Sequence, residues 1–449
     1  MQISHMPPLD PDFIPLAKLF NEYDGTFKAG IAVERLGEIS CVVFNMQNSA
    51  RPTDTDKEMA LLLLKSMLWV YGGHKVIIGG SEGLAAYIGG LRDTTLKFDW
   101  DFMAGVYERP FEVVSVPFED LPEATARSGK AAEHNMNGCR LGFDAGGSDI
   151  KVSAVIDGEA VFSEEIVWHP KINSDPAYHY KFIVDAMKLA ASKMPRVDGI
   201  GVSSAGIYVD NRTMVASLFI KVGKDDFDKH VKDIYIRAAA ELGNPPMVVA
   251  NDGDVTALAG AMEYGEGRIL GIAMGTSEAG GYIDENGSIT GWLNELAFVP
   301  VDANPAAMLD EWSGDRGRGV KYFSQDAVIK LAPAAGIEIP ADLSPAEKLK
   351  IVQELMAAGD KRAALIYESI GCYLGYSLAW YSMFYYFKRV LLMGRVVSGQ
   401  GGAIILEKAK EVLKDEYPSL YSVLELHLPD EKSRRVGQSV AAASLPVIN

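Results

Sequence analysis

The stretch CRLGFDAGGSDIKVSAVIDGEAVFSEEIV, residues 139–167, decides how the chain folds. It opens with an apolar run from Cys139 to Ala145 that reads as a buried strand, breaks at Gly146-Gly147, and resumes as a strand over 151–157. Asp157-Gly158 is a pair that two-residue hairpins favour, because both central positions need positive φ; residues 160–167 then return as a third strand. An alternation follows this meander. It runs through a helix near 178–192, the strand GIGVSSAG (199–206), a helix over 227–242, the strand MVVAND (247–252) and a helix over 255–264.

The pattern begins again at Ile269. ILGIAMGT (269–276) is a strand entering a glycine-rich turn, and GGYIDENGSITGW (280–292) is a strand, a turn at Asn286-Gly287 and another strand. After a long insertion, including the Pro- and Ala-rich stretch 331–345, helices are expected over 346–358 and 362–387. VLLMG (390–394) is then a strand, 402–414 a helix, and the tail SRRVGQSVAAASLP (433–446) a closing helix. One unit thus occurs twice, and two such units are expected to pack as facing lobes around a cleft, where ligands prefer to bind.

The first third reads differently. Residues 30–46 form two strands around Gly37, 57–70 a helix, 74–78 a short buried strand, 81–91 a helix, and 117–130 a connection that ends near Gly138. HKVIIGGSEG (74–83) is similar to VLLMGRVVSG (390–399), as in a degenerate half-unit; dimerisation and covering the cleft are the roles it suits. The division read from this is 1–138, an α/β extension; 139–265, a first lobe; and 266–449, a second lobe whose final helix packs back on the first.

Bulk properties narrow the function. Net charge is −17, which opposes non-specific binding to nucleic acid or an anionic membrane. Cys41, Cys139 and Cys372 form no CxxC pair, so neither a disulfide framework nor a cysteine zinc site is expected; this fits a reducing, cytoplasmic setting. The N-terminal MQISHMPPLDPDF lacks a basic region followed by an apolar run, so no signal peptide is read there. Residues 370–387 carry two readings, a membrane span or a buried helix; Gly371, Gly375, Ser377, Ser382 and the tyrosines favour the buried helix. The histidines have no metal-ligand spacing.

The candidate site residues sit at strand ends. Asp144 precedes the turn Gly146-Gly147-Ser148, where glycine lets backbone amides approach phosphate oxygens and a carboxylate can hold hydrated Mg²⁺; a plain hairpin is the other reading. Gly275-Thr276-Ser277 is the equivalent turn of the second round, and a pair of such turns suits a polyphosphate. Asn251-Asp252 ends a buried strand. Asp252 reads either as a helix cap or as a base that takes a proton from an attacking hydroxyl, and Asp254 is an alternative cap. Glu295 can accept hydrogen bonds from sugar hydroxyls or lie at an exposed strand end, and Ser204 and Gly206 either line the same cleft or make a simple turn. Gly394 and Val397 belong to a further strand-to-helix turn suited to an anion or a nucleotide edge, with Arg395 open as a structural cation.

Taken in order, these segments resemble the ROK family of bacterial sugar kinases and regulators, within the actin-like ATPase superfamily. DAGGSDIK (144–151) looks like the first phosphate motif, and GIGVSSAGIYVD (199–210) resembles a family strand and turn. VVANDGDVTALAGA (248–261) is similar to the catalytic segment and implies Asp252 as base. GIAMGTSEAGGYI with GWLNELAF resembles the second phosphate motif and the sugar-binding glutamate, Glu295. VLLMGRVVSGQGG (390–402) resembles the adenosine motif. The resemblance runs from about 139 to 446. It implies an α/β, two-lobed actin-like ATPase (ribonuclease H-like) fold of duplicated βββαβαβα units, plus the N-terminal α/β region. It further implies ATP and Mg²⁺ as cofactors, a sugar and a nucleotide as ligands, Asn251 beside the sugar, and no nucleic-acid or membrane partner; a homodimer stays open. The sequence departs from the family at Phe298, where a histidine is usual, at Ser277 and Ala279, where glycines are usual, at Glu278 beside the second phosphate turn, and in lacking the zinc-binding cysteines. These departures motivate a second expectation, a sugar sensor without catalysis.

Overall fold

The computed structural model describes residues 3–125, 136–429 and 431–448. The N-terminal region contains α1 (Leu16–Glu22), β1 (Phe27–Arg35), β2 (Glu38–Met46), α2 (Asp54–Tyr71), β3 (Lys75–Gly79), α3 (Glu82–Gly90), α4 (Lys97–Tyr107) and β4 (Glu112–Val116). Its sheet runs β2-β1-β3-β4, with β1 antiparallel to both neighbours and β3 parallel to β4. The first hairpin turns at Leu36 and Gly37, both at positive φ (51° and 91°). Thr53 and Asp56 close a capping box on α2, which buries Met59, Leu63, Met67 and Trp69 along its length. Helix α4 and strand β4 were not read from the sequence; β4 is a short, half-buried edge strand after Pro110, and its pattern carries little local signal. Of the expected connection 117–130, residues 126–130 lie outside the described residues.

The repeated pattern follows as β5 (Cys139–Ala145), β6 (Asp149–Ile156), β7 (Glu159–Val167), α5 (Pro176–Ala191), β8 (Gly199–Ser204), β9 (Ile207–Val209), β10 (Arg212–Val215), α6 (Lys224–Asp226), α7 (Ile234–Ala240), β11 (Met247–Asn251) and α8 (Asp252–Tyr264). The five-stranded sheet runs β11-β8-β5-β6-β7. β11, β8 and β5 are parallel, and β6 and β7 antiparallel. Asp157 (φ 49°) and Gly158 (φ 87°) make the β6–β7 turn, as their residue types require. The helix expected over 227–242 is broken into α6, a π-turn at Phe227–Val231, and α7.

The second round holds β12 (Ile269–Met274), β13 (Glu278–Ile283), α9 (Gln325–Leu331), α10 (Pro345–Ala357), α11 (Lys361–Tyr381), β14 (Arg389–Met393), α12 (Gln400–Glu416), α13 (Pro418–Tyr421) and β15 (Glu425–His427); α14 (Glu431–Ala443) closes the chain. Its sheet runs β13-β12-β14-β15. The third strand expected here is reduced to one bridge, Ile283 to Ile289, because Asp284 draws the amides of Asn286 and Ser288 (both 2.9 Å) into a tight turn. The segment 370–387 is a buried helix up to Tyr381. A Cβ on Gly371 would lie 2.8 Å from the Ile405 carbonyl, and one on Gly375 2.5 Å from Val412, so the two glycines let α11 and α12 pack closely. Among the described residues, no helix is long and apolar enough to cross a membrane.

The chain forms two compact units. One comprises Met1–Ser128, Ile272–Gly280 and Trp292–Leu428; the other comprises Gly129–Gly271, Gly281–Gly291 and Pro429–Asn449. In the second of these, α14 lies against β5 and β8. A Cβ on Gly201 would fall 1.6 Å from the Ala442 carbonyl, and one on Gly142 1.8 Å from that of Ser439, so only glycine admits the helix at this distance. Leu141, Phe143, Ile150, Val152, Ile200 and Val202 fill the sheet's core with almost no exposure. Each such side chain contributes roughly 1.5–3 kcal/mol on burial.

Candidate active site

In the Gly129–Gly271 unit, three parallel strands deliver acids and hydroxyls at their C-terminal ends, where open α/β sheets place ligands. Asp144 on β5 is opposite Ser203 on β8 in the parallel register. The pair therefore shares one face, and the Ser203 hydroxyl donates to Asp144 at 2.7 Å. Ser204, the neighbour chosen from the sequence, points to the other face; its hydroxyl is fully buried and accepts from Tyr235 at 2.9 Å. Strand alternation was the signal that could have separated these two serines.

Asp252 begins α8 directly after β11. The cap is Asn251, whose side-chain oxygen accepts from the Gly253 amide at 2.7 Å while its Nδ2 donates to the Gly206 carbonyl at 2.8 Å. Asp254 is buried and accepts from the Tyr282 amide at 3.0 Å. Capping and packing thus occupy Asn251 and Asp254. The Asp252 carboxyl is held by main-chain amides, that of Gly253 at 3.0 Å and its own, and part of its surface stays accessible. Burial pushes its pKa up, against the pull of the Gly253 amide and of Lys171. The Asp144 carboxyl is pushed up to about 6 by burial, with Asp252 adding to the rise and the Ser203 hydroxyl opposing it. Gln438 on α14 donates to the Asp252 carbonyl (3.1 Å) and to Ser203 (3.3 Å), a contact that no local pattern announced. Gly206 adopts φ 143°, and a Cβ there would lie 2.3 Å from the Val215 carbonyl.

The turn after β5 is exposed at Gly147 and Ser148. It is closed by the Gly146 amide on the Asp149 carbonyl (2.9 Å), and Trp168 clamps it by donating from its indole to the Gly146 carbonyl at 2.8 Å. The Lys171 chain passes Gly147 closely enough that a Cβ there would sit 3.4 Å from it, and Lys151 pairs with Asp149 at 3.1 Å. An exposed glycine turn with two lysines nearby suits an anion.

The other unit carries the remaining candidates. Gly275 closes its turn on the Ser277 carbonyl (3.0 Å), leaving Thr276 and Ser277 exposed. Glu278 turns the opposite way. It is only 3 % exposed, and among the described residues neither carboxyl oxygen closes a hydrogen bond. It wedges against Gly319, where a Cβ would lie 2.2 Å from Oε2. Burial drives its pKa up to about 8, with Glu295 adding to the rise and the Tyr381 hydroxyl opposing it. Glu295 is partly exposed on a loop whose amides are held by the end of α2. Phe298, where the resembled family has histidine, packs on Trp69 with ring centroids 4.4 Å apart. Gly394 takes φ 97° and approaches the Met274 carbonyl, which also accepts from the Val396 amide at 3.0 Å. Val397 is buried. Helix α12 starts beside it after Gly399, with no side-chain cap, which leaves the first-turn amides open to an anion.

Among the described residues, no group of three or more His, Cys, Asp or Glu is arranged to hold a metal ion. Asp144 fits an indirect role toward Mg²⁺. One oxygen is engaged by Ser203 and the neighbouring Asp252 raises its pKa, a repulsion that a divalent cation relieves.

No protein-family profile and no curated protein matches the sequence. Solved structures do. A ROK hexokinase from Thermus thermophilus is 18% identical at TM-score 0.52, with 69% of this chain and 97% of that one covered. A ROK family transcriptional regulator, a homologue of the E. coli MLC protein, is also 18% identical at TM-score 0.52, with 69% and 79% covered. Across 69% of its length, the chain has the fold of ROK family proteins, a fold that serves both a hexokinase and a transcriptional regulator.

Proposed function

We propose that the protein is an ATP-dependent kinase acting on a hydroxyl of a hexose or amino sugar. The observation that carries this reading is the partly accessible carboxyl of Asp252, at the start of α8 and beside the Asp144–Ser203 pair, with its neighbours Asn251 and Asp254 committed to structure. In this reading Asp252 takes the proton of the sugar hydroxyl as its oxygen attacks the γ-phosphorus; a new O–P bond forms and the bond to ADP breaks. The raised pKa of Asp252 makes it a better proton acceptor than an ordinary aspartate. Mg²⁺ would neutralise phosphate charge, with Asp144 holding it through water or phosphate. Gly146, Gly147, Ser148, Gly275, Thr276, Ser277, Gly394 and Val397 would contact the nucleotide. Glu295 and Gly206 would face the sugar, with Asn251 holding the Gly206 turn through its side chain.

A second reading, sugar binding without phosphoryl transfer, is favoured by one observation: Glu278 fills the interior behind the second glycine turn with an unpartnered carboxyl. Release of ADP, measured over glucose, mannose and their N-acetylated amino sugars, separates the two. Turnover that Asp252→Asn abolishes while sugar binding persists supports the kinase. Failure of wild type to bind nucleotide at millimolar concentration with Mg²⁺ would leave the sensor.

A further inference from the structure

The loop that presents Glu295 contains one 3-10 turn, Leu296–Phe298, which follows Glu295 and leaves the bend before it to be held from outside. Asn294 sits in the left-handed region at φ 52°, which costs conformational energy in a non-glycine residue. The backbone bonds within the loop are short-range, from Leu296 to the Asn294 carbonyl, from Phe298 to that of Glu295 and from Val299 to that of Leu296. The amides on either side of the bend leave the loop. That of Asn294 donates to the Val70 carbonyl at 3.0 Å, and that of Glu295 to the Trp69 carbonyl at 2.9 Å. These acceptors belong to the last turn of α2, where a helix has carbonyls without intrahelical partners. Helix end and loop therefore complete one another.

Side chains reinforce the junction. Trp69 covers Phe298, and its indole donates to the buried Asp99 at 2.7 Å. Asp99 is in turn paired with Lys65 at 2.9 Å. Tyr71 stacks edge-on against Trp292 at 4.6 Å, at the start of the loop, and Tyr385 donates to the Asn294 side chain at 3.0 Å. Trp69 is thus fixed at its far side by a buried charge pair and touches the loop by both carbonyl and ring.

We propose that the end of α2 sets the position of Glu295 toward its sugar ligand, with Trp69 as the positioning residue, so that the N-terminal region is a working part of the sugar site. The proposal rests on the sugar-binding role given to Glu295. It also accounts for Phe298, which supplies the ring that Trp69 grips where the resembled family has an imidazole.

The test uses the full chain and its Trp69→Ala, Trp69→Phe and Phe298→Leu variants. Hydrogen exchange of the segment 292–299 reads the junction without any ligand. Calorimetry with glucose and N-acetylmannosamine reads sugar binding, and with the non-hydrolysable analogue AMPPNP nucleotide binding. Trp69→Ala keeps the carbonyl of residue 69 but removes the ring against Phe298 and the indole bond to Asp99, and is expected to speed exchange at Asn294 and Glu295 about fivefold, equivalent to about 1 kcal/mol. It should weaken sugar binding by a similar factor while the AMPPNP affinity stays within about twofold. Trp69→Phe, which keeps a ring, should restore most of the sugar affinity. Phe298→Leu tests the same contact from the loop side should Trp69→Ala fail to fold. Unchanged exchange in Trp69→Ala and Phe298→Leu, or equal loss of sugar and nucleotide binding, overturns the proposal. Wild type that binds neither sugar sinks the sugar-site reading, and the positioning proposal with it; unchanged exchange sinks the proposal alone.

Discussion

Replacing Glu278 with glutamine should remove a pH-dependent weakness from the strand that follows the second glycine turn. The carboxyl is 3 % exposed and closes no hydrogen bond among the described residues. Burial moves its pKa from 4.5 to about 8. In the unfolded chain the proton leaves near 4.5, and in the folded chain only near 8. Between those values the folded state holds a proton that the unfolded state lacks, so raising the pH favours unfolding. The contribution of this one group to stability is greatest below about 4.5, falls through the window, and is level above about 8. At about 1.4 kcal/mol per pH unit, the window amounts to roughly 5 kcal/mol. Glutamine keeps the shape and stays neutral, so Glu278→Gln should match wild type near pH 5 and exceed it by several kcal/mol above pH 8, on the order given by the same linkage. Two units need not unfold in one transition. The assay is therefore native-state hydrogen exchange of the segment 272–283 between about pH 5.5 and 8.5, corrected for the intrinsic pH dependence of exchange. Parallel loss of protection in wild type and Glu278→Gln across that range would refute the reasoning.

Two further outcomes follow from the same geometry. Ser203→Ala removes the hydroxyl that opposes the rise at Asp144, so that carboxyl should titrate above its present value of about 6, read by carbon NMR of the labelled aspartate; an unchanged or lower value contradicts the assigned hydrogen bond. Gly394→Ala places a Cβ 2.3 Å from the Met274 carbonyl at φ 97°, and should cost about 2–4 kcal/mol in thermal unfolding and weaken nucleotide binding; wild-type stability would mean the turn is not held as described.

Local chemistry made several features legible. Asp157-Gly158 can hardly be anything but a tight turn, since both residues tolerate positive φ and strands flank them. The buried run 139–145 and its repeat at 269–274 announced the two sheets, and Gly371 and Gly375 in the uncharged segment 370–387 spoke for a buried helix rather than a membrane span. The N-terminal region was legible where a helix repeats apolar residues with helical period, as over 57–70, and illegible at β4, a short edge strand. Its junction with the Glu295 loop left no local trace, because main-chain carbonyls have no residue identity.

By itself the sequence determined the meander over 139–167, the later strands at 199–204, 247–251, 269–274 and 389–393, and the set of acids available at strand ends, because these depend on periodicity and on backbone preferences of single residues. Tertiary structure alone decided which acid is spare: Asn251 caps, Asp254 packs on β13, and Asp252 is left. It also decided that Ser203 rather than Ser204 meets Asp144, and that Glu278 points inward against Gly319. The direction of a side chain is set by what the rest of the chain packs against it, and that information is spread over residues far apart in sequence.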